Sequence, residues 1–272
     1  MNRILLAGIA CACLATGAAT AADLPVKAPP LVAPAPTWTG FYMGVSVGGE
    51  WLHDTATLSL PPGPPQLFLP FVAAGVIPTS YQVNASGVIA SFQVGYNWQI
   101  DQRWVVGLEA DISGPRVGAT QNITTNVTVP FVSSAALQYQ TNVDYVGTVR
   151  GRFGALVTPT LLAYATGGLA YGRVSRSFTE AQVFPAPFPP ITQTIGSTQS
   201  VDLGWAVGGG LEYAVTNHFT VRGEYLFIQL SGGTFTTTSI NANCGAPNAC
   251  SFTLTSNNPT IQIARFGLNY KF

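Results

Sequence analysis

The sequence predicts an all-β fold: an eight-stranded antiparallel transmembrane up-and-down β-barrel with four long outer loops. Three observations carry this expectation. The 272-residue chain is 47% hydrophobic and only 8% charged, with a mean hydropathy of +0.30. After the N-terminal leader, however, no apolar run approaches the roughly 18 to 20 residues that a spanning helix needs. In hydrocarbon every backbone N–H and C=O must be bonded within the protein, which leaves helices and closed barrels. Helices are excluded here, so a barrel remains. Finally, the alternating segments are joined by connections that are short and long in turn, as short periplasmic turns and long outer loops require.

Residues 1–21 read as a signal peptide. Asn2-Arg3 is a short positive start, Ile4 to Leu14 an apolar core, and Ala19-Thr20-Ala21 fits the small-x-small cleavage rule. Cleavage after Ala21 or Ala22 exports the chain and removes Cys11 and Cys13, which read as incidental hydrophobes. Residues 22–36 form a proline-rich periplasmic segment, and residues 37–272 remain for one outer-membrane barrel domain. The balance of 11 basic and 11 acidic residues gives no support for a nucleic-acid partner.

Side chains alternate along a strand, so each segment can be sorted into two faces. The first strand, about Trp38 to Trp51, sets Phe41, Met43, Val45 and Val47 against Tyr42, Ser46 and Glu50. The second, about Gly87 to Gln99, sets Val88, Phe92, Val94, Tyr96 and Trp98 against Ser91, Gln93 and Asn97. Asp101-Gln102-Arg103 then turns the chain into a third strand, with Trp104, Leu108 and Ile112 opposing Glu109 and Asp111. The fourth, about Asn142 to Val157, places Val143, Tyr145, Val149 and Phe153 outward and Asp144, Thr148, Arg150 and Arg152 inward. Thr158-Pro159-Thr160 leads to the fifth, about Leu161 to Arg176, whose glycines leave its facing ambiguous. The sixth, about Val201 to Val215, opposes Leu203, Trp205, Val207 and Leu211 to Asp202 and Glu212. After Thr216-Asn217-His218 the seventh opposes Phe219, Val221, Tyr225 and Phe227 to Thr220, Arg222 and Glu224. The eighth ends the chain, with Phe266, Leu268, Tyr270 and Phe272 on one face and Arg265 and Asn269 on the other. The apolar sets suit lipid and the polar sets a lumen. Aromatics beside the short turns (Tyr96, Trp98, Trp104, Phe219, Tyr270, Phe272) suit an interfacial girdle.

Four long connections remain, roughly 53–86, 120–140, 178–200 and 236–258. Ten of the 20 prolines fall in the first and third of these, where no ladder hydrogen bond is lost. In the fourth, Cys244 and Cys250 are close together among turn formers of an exported chain, and read as a disulfide. No His or acid lies near enough to make them a metal site. The loops also carry apolar residues, among them Leu58, Leu60, Leu67, Phe68, Leu69, Phe71, Val72 and Ile77, with Phe184, Phe188 and Ile191 in the third. Either the loops pack on one another or extend the hairpins above the membrane, or they bind an apolar ligand or a host or surface partner.

Eight strands enclose a space that side chains can fill, unlike the 16 or more strands of an open pore. Counting from the periplasmic ends, Glu109 lies six residues above Arg103, Arg150 eight below Thr158, Glu224 six above His218 and Arg265 seven below Phe272. Two acids and two arginines therefore share one inward layer. Glu212 and Arg222 face each other across a tight hairpin nearer the periplasm. Opposite charges in a narrow lumen should pair, because an unpaired one is costly, and arginine offers a bidentate fork. The expected result is a salt-bridged plug. Catalysis finds no support: His53 and Asp54, near the rim, are adjacent and point to opposite faces, while His218 is in a turn. No cofactor site is expected, and two histidines make a protein metal site a poor reading.

The opening Trp38-Thr39-Gly40-Phe41-Tyr42-x-Gly44, the Gly167-Gly168-Leu169-Ala170-Tyr171-Gly172 stretch and the close from Ala264-Arg265-Phe266-Gly267 to Phe272 resemble the small outer-membrane surface-antigen barrels of alphaproteobacteria, within the OmpA-like β-barrel superfamily. The resemblance implies outer-membrane localisation, eight strands, and a structural and surface-antigen role. No peptidoglycan-binding domain is expected after the barrel, so the anchoring role of full-length OmpA proteins is not carried over. Some members of that group are porin-like or haem-binding, so a small diffusion channel and a surface receptor for an apolar ligand such as haem stand as alternatives. Expected partners are outer-membrane lipid and the barrel assembly machinery, for which the terminal Phe272 would be the signal. A monomer is expected.

Overall fold

The computed structural model describes residues 36–60, 69–114, 117–127, 133–183, 191–239 and 251–272, all within one compact unit, Ala35–Phe272. The signal peptide, most of the 22–36 segment, Cys244 and Cys250, and Leu67, Phe68, Phe184 and Phe188 lie outside the described residues. The strands are β1 (Gly40–Ser59), β2 (Ser80–Gln99), β3 (Trp104–Gly114), β4 (Val117–Val127), β5 (Ser133–Thr158), β6 (Leu161–Val183), β7 (Ile191–Ala214), β8 (Phe219–Leu230), β9 (Thr234–Thr236), β10 (Thr238–Ser239) and β11 (Thr253–Lys271). They form an antiparallel ring in the order β1-β2-β3-β5-β6-β7-β8-β11, closed by pairing of β11 with β1. β4 takes over from β3 as the neighbour of β5, and β9 takes over from β8 beside β11. The ring is thus built of eight staves, as the sequence predicts.

The three short turns lie at one end, and each is fixed by its own side chains. Asp101 Oδ1 accepts from the Arg103 and Trp104 amides, both at 2.7 Å, and Thr216 Oγ1 accepts from His218 and Phe219. Such side-chain caps mimic a backbone turn. Phe272 closes the seam there: its amide donates to the Phe41 carbonyl at 3.0 Å, and its ring lies 5.6 Å from Phe41 and 5.0 Å from Tyr270. Gly40 enters β1 with φ of 147°, where a Cβ would also stand 3.3 Å from the Phe272 carbonyl.

At the opposite end the strands run well past the limits read from sequence. β1 and β2 pair from Gly40↔Asn97 as far as Thr57↔Ser80, and β5 and β6 from Thr158↔Leu161 to Ser134↔Val183. Much of what reads as loop is therefore wall, and a one-turn helix, Leu69–Ala73, lies within the first connection. Two irregularities reset the alternation. β5 carries an extra residue between Val143 and Tyr145 relative to β6. Val143 accordingly turns inward and is buried, while Asp144 is half-exposed, the reverse of unbroken alternation. β11 gains a residue between Asn257 and Thr260 relative to β1, with Pro259 beside it; a bulge is where a strand accepts proline.

Candidate functional site

The lumen is filled in layers. At the periplasmic mouth, Trp38 is buried with Val105, Leu162, Tyr164 and Ala214. Its amide donates to Gln99 Oε1 at 3.0 Å and its indole Nε1 to the Pro159 carbonyl at 3.1 Å. Trp38 thus lies before β1 as a cork rather than inside the strand, as the sequence suggested. Lys271 Nζ donates to the Thr37 carbonyl and holds the same segment.

Above the cork lies an ionic layer. Arg150 spans three carboxylates: Glu109 at 2.7 Å, Asp111 at 2.6 Å and Glu224 at 3.0 Å. Arg265 reaches Glu224 at 2.6 Å and Asp111 at 3.2 Å, and Arg222 donates to Glu109. Arg152 bonds Glu212 at 2.6 Å and the Tyr42 hydroxyl at 2.8 Å, which in turn donates to Glu109 at 2.6 Å. The Arg152 guanidinium also lies 4.0 Å from the Tyr164 ring centroid. Four arginines (150, 152, 222, 265) thus face four acids (109, 111, 212, 224), all buried. Glycines make room for them. Gly168 and Gly48 stand opposite Arg150 and Arg265, and a Cβ on either would come within 2.7 Å of the arginine's own Cα.

The residues placed at one height from sequence, Glu109, Arg150, Glu224 and Arg265, therefore meet. Glu212 and Arg222 are register partners, but their ion pairs go elsewhere: Glu212 to Arg152, Arg222 to Glu109. Asp111, Arg152 and Tyr42 were sorted inward by alternation, and what sequence lacked was their lateral reach.

Next comes an apolar layer that includes Leu52, Ile89, Val143, Val146, Val174, Leu226, Ile228, Ile261 and Ile263. Beyond it are small polar islands. Asp54 accepts from Tyr139 at 3.0 Å, Thr141 at 2.7 Å and Ser256 at 2.8 Å, and Arg176 pairs with Asp202 at 2.8 Å. Burial pushes the Tyr139 hydroxyl well above the usual phenol range, which keeps it a donor to Asp54. His53 points outward to Asn84 at 2.5 Å, away from Asp54. The topmost layer packs Leu58, Val76, Ile77, Tyr81, Leu137, Phe178, Phe252 and Leu254, with Leu60 and Val72 against it. The loop-one residues Leu58, Leu60, Val72 and Ile77 are thus part of a core, and Leu69 stays exposed.

Outside, a belt of exposed apolar residues circles the lower wall, including Phe41, Val45, Phe92, Trp98, Leu108, Phe153, Leu169, Leu211, Phe266 and Tyr270. An apolar exterior over a charged interior defines an integral outer-membrane β-barrel. Sequence comparison gives its kinship. The profile of the outer membrane protein beta-barrel domain matches residues 9–272, and the chain belongs to that family. It is 34% identical over 237 residues to the 31 kDa outer-membrane immunogenic protein of Brucella melitensis, covering 85% of this chain and 88% of that one. It is 33% identical over 137 residues to a 22 kDa outer membrane protein of Rhizobium leguminosarum, covering 49% and 48%. Among solved structures, OprG of Pseudomonas aeruginosa aligns over 88% of this chain and 99% of its own with a TM-score of 0.45 and 10% identity.

Proposed function

We propose that this protein is a closed, non-catalytic barrel that acts structurally in the outer membrane and displays its outer wall as a surface antigen. The observation that carries the closed state is the layering: cork, ionic layer and two apolar layers succeed one another up the lumen. An ion crossing it would have to desolvate against apolar side chains and separate buried charge pairs. The surface-antigen role is supported by the name of the Brucella relative, an immunogenic protein. On this reading Phe272 is the assembly signal, Cys244 and Cys250 close an outer loop, and residues 1–21 are removed on export. Liposomes bearing the purified protein should swell in small sugars no faster than empty ones. Swelling whose rate falls with solute size would favour the diffusion-channel alternative.

A further inference from the structure

Above the lipid-facing belt, the outside wall carries hydrogen-bonding groups but almost no charge. The belt ends at Trp51, Tyr145, Tyr171 and Val201, where the Arg173 guanidinium lies 6.0 Å from the Tyr145 ring centroid. Higher on β5, β6 and β7 the outward side chains form two cross-strand rows. Gln140, Ser177 and Ser197 make one; Asn142, Ser175 and Gln199 make the other. Gln199 Nε2 donates to Ser175 Oγ at 3.0 Å. The rows, with Thr198 and the buried, inward-facing Arg176, line a cleft of about 350 Å³, and a second cleft of about 520 Å³ is lined by Gln229, Thr234, Thr255 and Asn257, among others. Among the described residues, outward Lys, Arg, Asp or Glu on this upper wall is confined to Arg173 and Asp144 at its lower edge.

That composition is unusual for a surface meeting bulk water, where about a quarter to a third of residues are charged. Its exposed apolar side chains, Ile195 and, at the lower edge, Val201, do not make up the apolar centre that a protein interface uses. Amides and hydroxyls both donate and accept, which suits the dense hydroxyls of a saccharide. The wall is continuous, strand by strand, with the belt that acyl chains cover. We propose that this upper wall is a docking surface for the saccharide headgroup of the outer-leaflet glycolipid, the same molecules whose acyl chains contact the belt.

The test uses the full mature protein in phosphatidylcholine nanodiscs, titrated with rough lipopolysaccharide that retains its core sugars and, separately, with lipid A stripped of them. Wild type should bind the sugar-bearing form about tenfold more tightly, the worth of one or two net hydrogen bonds. The triple variant Gln140→Ala/Asn142→Ala/Gln199→Ala should lose that preference and bind lipid A as wild type does. An unchanged thermal midpoint for the variant would show that the wall is intact. Equal binding of both glycolipids by wild type would overturn the proposal, as would a preference that survives the triple change. So would a soluble core oligosaccharide that binds as tightly as the intact glycolipid, because the wall would then be a receptor for free glycans.

Discussion

In the membrane-level half of β1, Phe41, Met43, Val45 and Val47 face out while Tyr42 and Ser46 face in; higher in the same strand, Leu52, Ala56 and Leu58 face in while Thr57 and Ser59 face out. β11 shows the same reversal, with Phe266 and Leu268 outside below and Leu254 inside above. The solvent on the outside changes from hydrocarbon to water, and the interior changes to match. Below, lipid takes the apolar residues, so the lumen is filled by paired charges. Above, the wall can be polar, so the lumen is filled as a soluble core is, by burial of apolar surface. One stave thus carries two opposite amphipathic patterns.

The largest effect should come from the ionic half. Arg150→Ala leaves Glu109, Asp111 and Glu224 facing the gap it vacates and should cost about 3–5 kcal/mol of unfolding free energy, the penalty for breaking a buried pair. Urea unfolding in detergent measures it, and Glu109→Gln added on top should restore part of the loss. A cost near zero would mean that water, not arginine, satisfies these acids.

Phe178→Ala tests the apolar half. Phe178 is fully buried against Tyr81 and Phe252, so the loss should be about 3 kcal/mol by analogy with core truncations. Hydrogen exchange should show it confined to the upper staves, with amides beside the ionic layer still protected. Loss of protection throughout would mean that the two halves unfold together. Tyr139→Phe is smaller: it removes one of three donors to Asp54 and should cost about 1–2 kcal/mol.

The smallest effect belongs to the turns. The Arg103 and Trp104 amides hold the Asp101 carboxyl below its ordinary value of 3.8. A carboxylate with a depressed folded pKa stabilises the fold above its unfolded pKa and loses that contribution as pH falls through the folded value. Asp101→Ala should therefore destabilise slightly at neutral pH and have no effect in strong acid, as read by thermal midpoints at both.

Much of this was legible in the residues. Lower-stave facing follows from simple alternation, and the ionic layer from counting up from Arg103, Thr158, His218 and Phe272. Thr55-Ala56-Thr57-Leu58-Ser59 alternates just as regularly, yet reads as loop because its pattern is the inverse of the lipid-facing one. The bulge at Val143 to Tyr145 carries no Gly or Pro to announce it, so the facing of Val143 and Asp144 was inverted. Trp38 lies two residues before β1, and whether an aromatic there faces lipid or folds over the mouth depends on contacts with Gln99 and Pro159, 61 and 121 residues away.

The most direct test of the closed lumen is a planar-bilayer recording of the purified wild-type protein, beside the Arg150→Ala variant. The layered interior predicts a silent baseline for wild type and, with the cork and both apolar layers still in place, for Arg150→Ala as well. A steady open level in wild type, unchanged by Arg150→Ala, would contradict it.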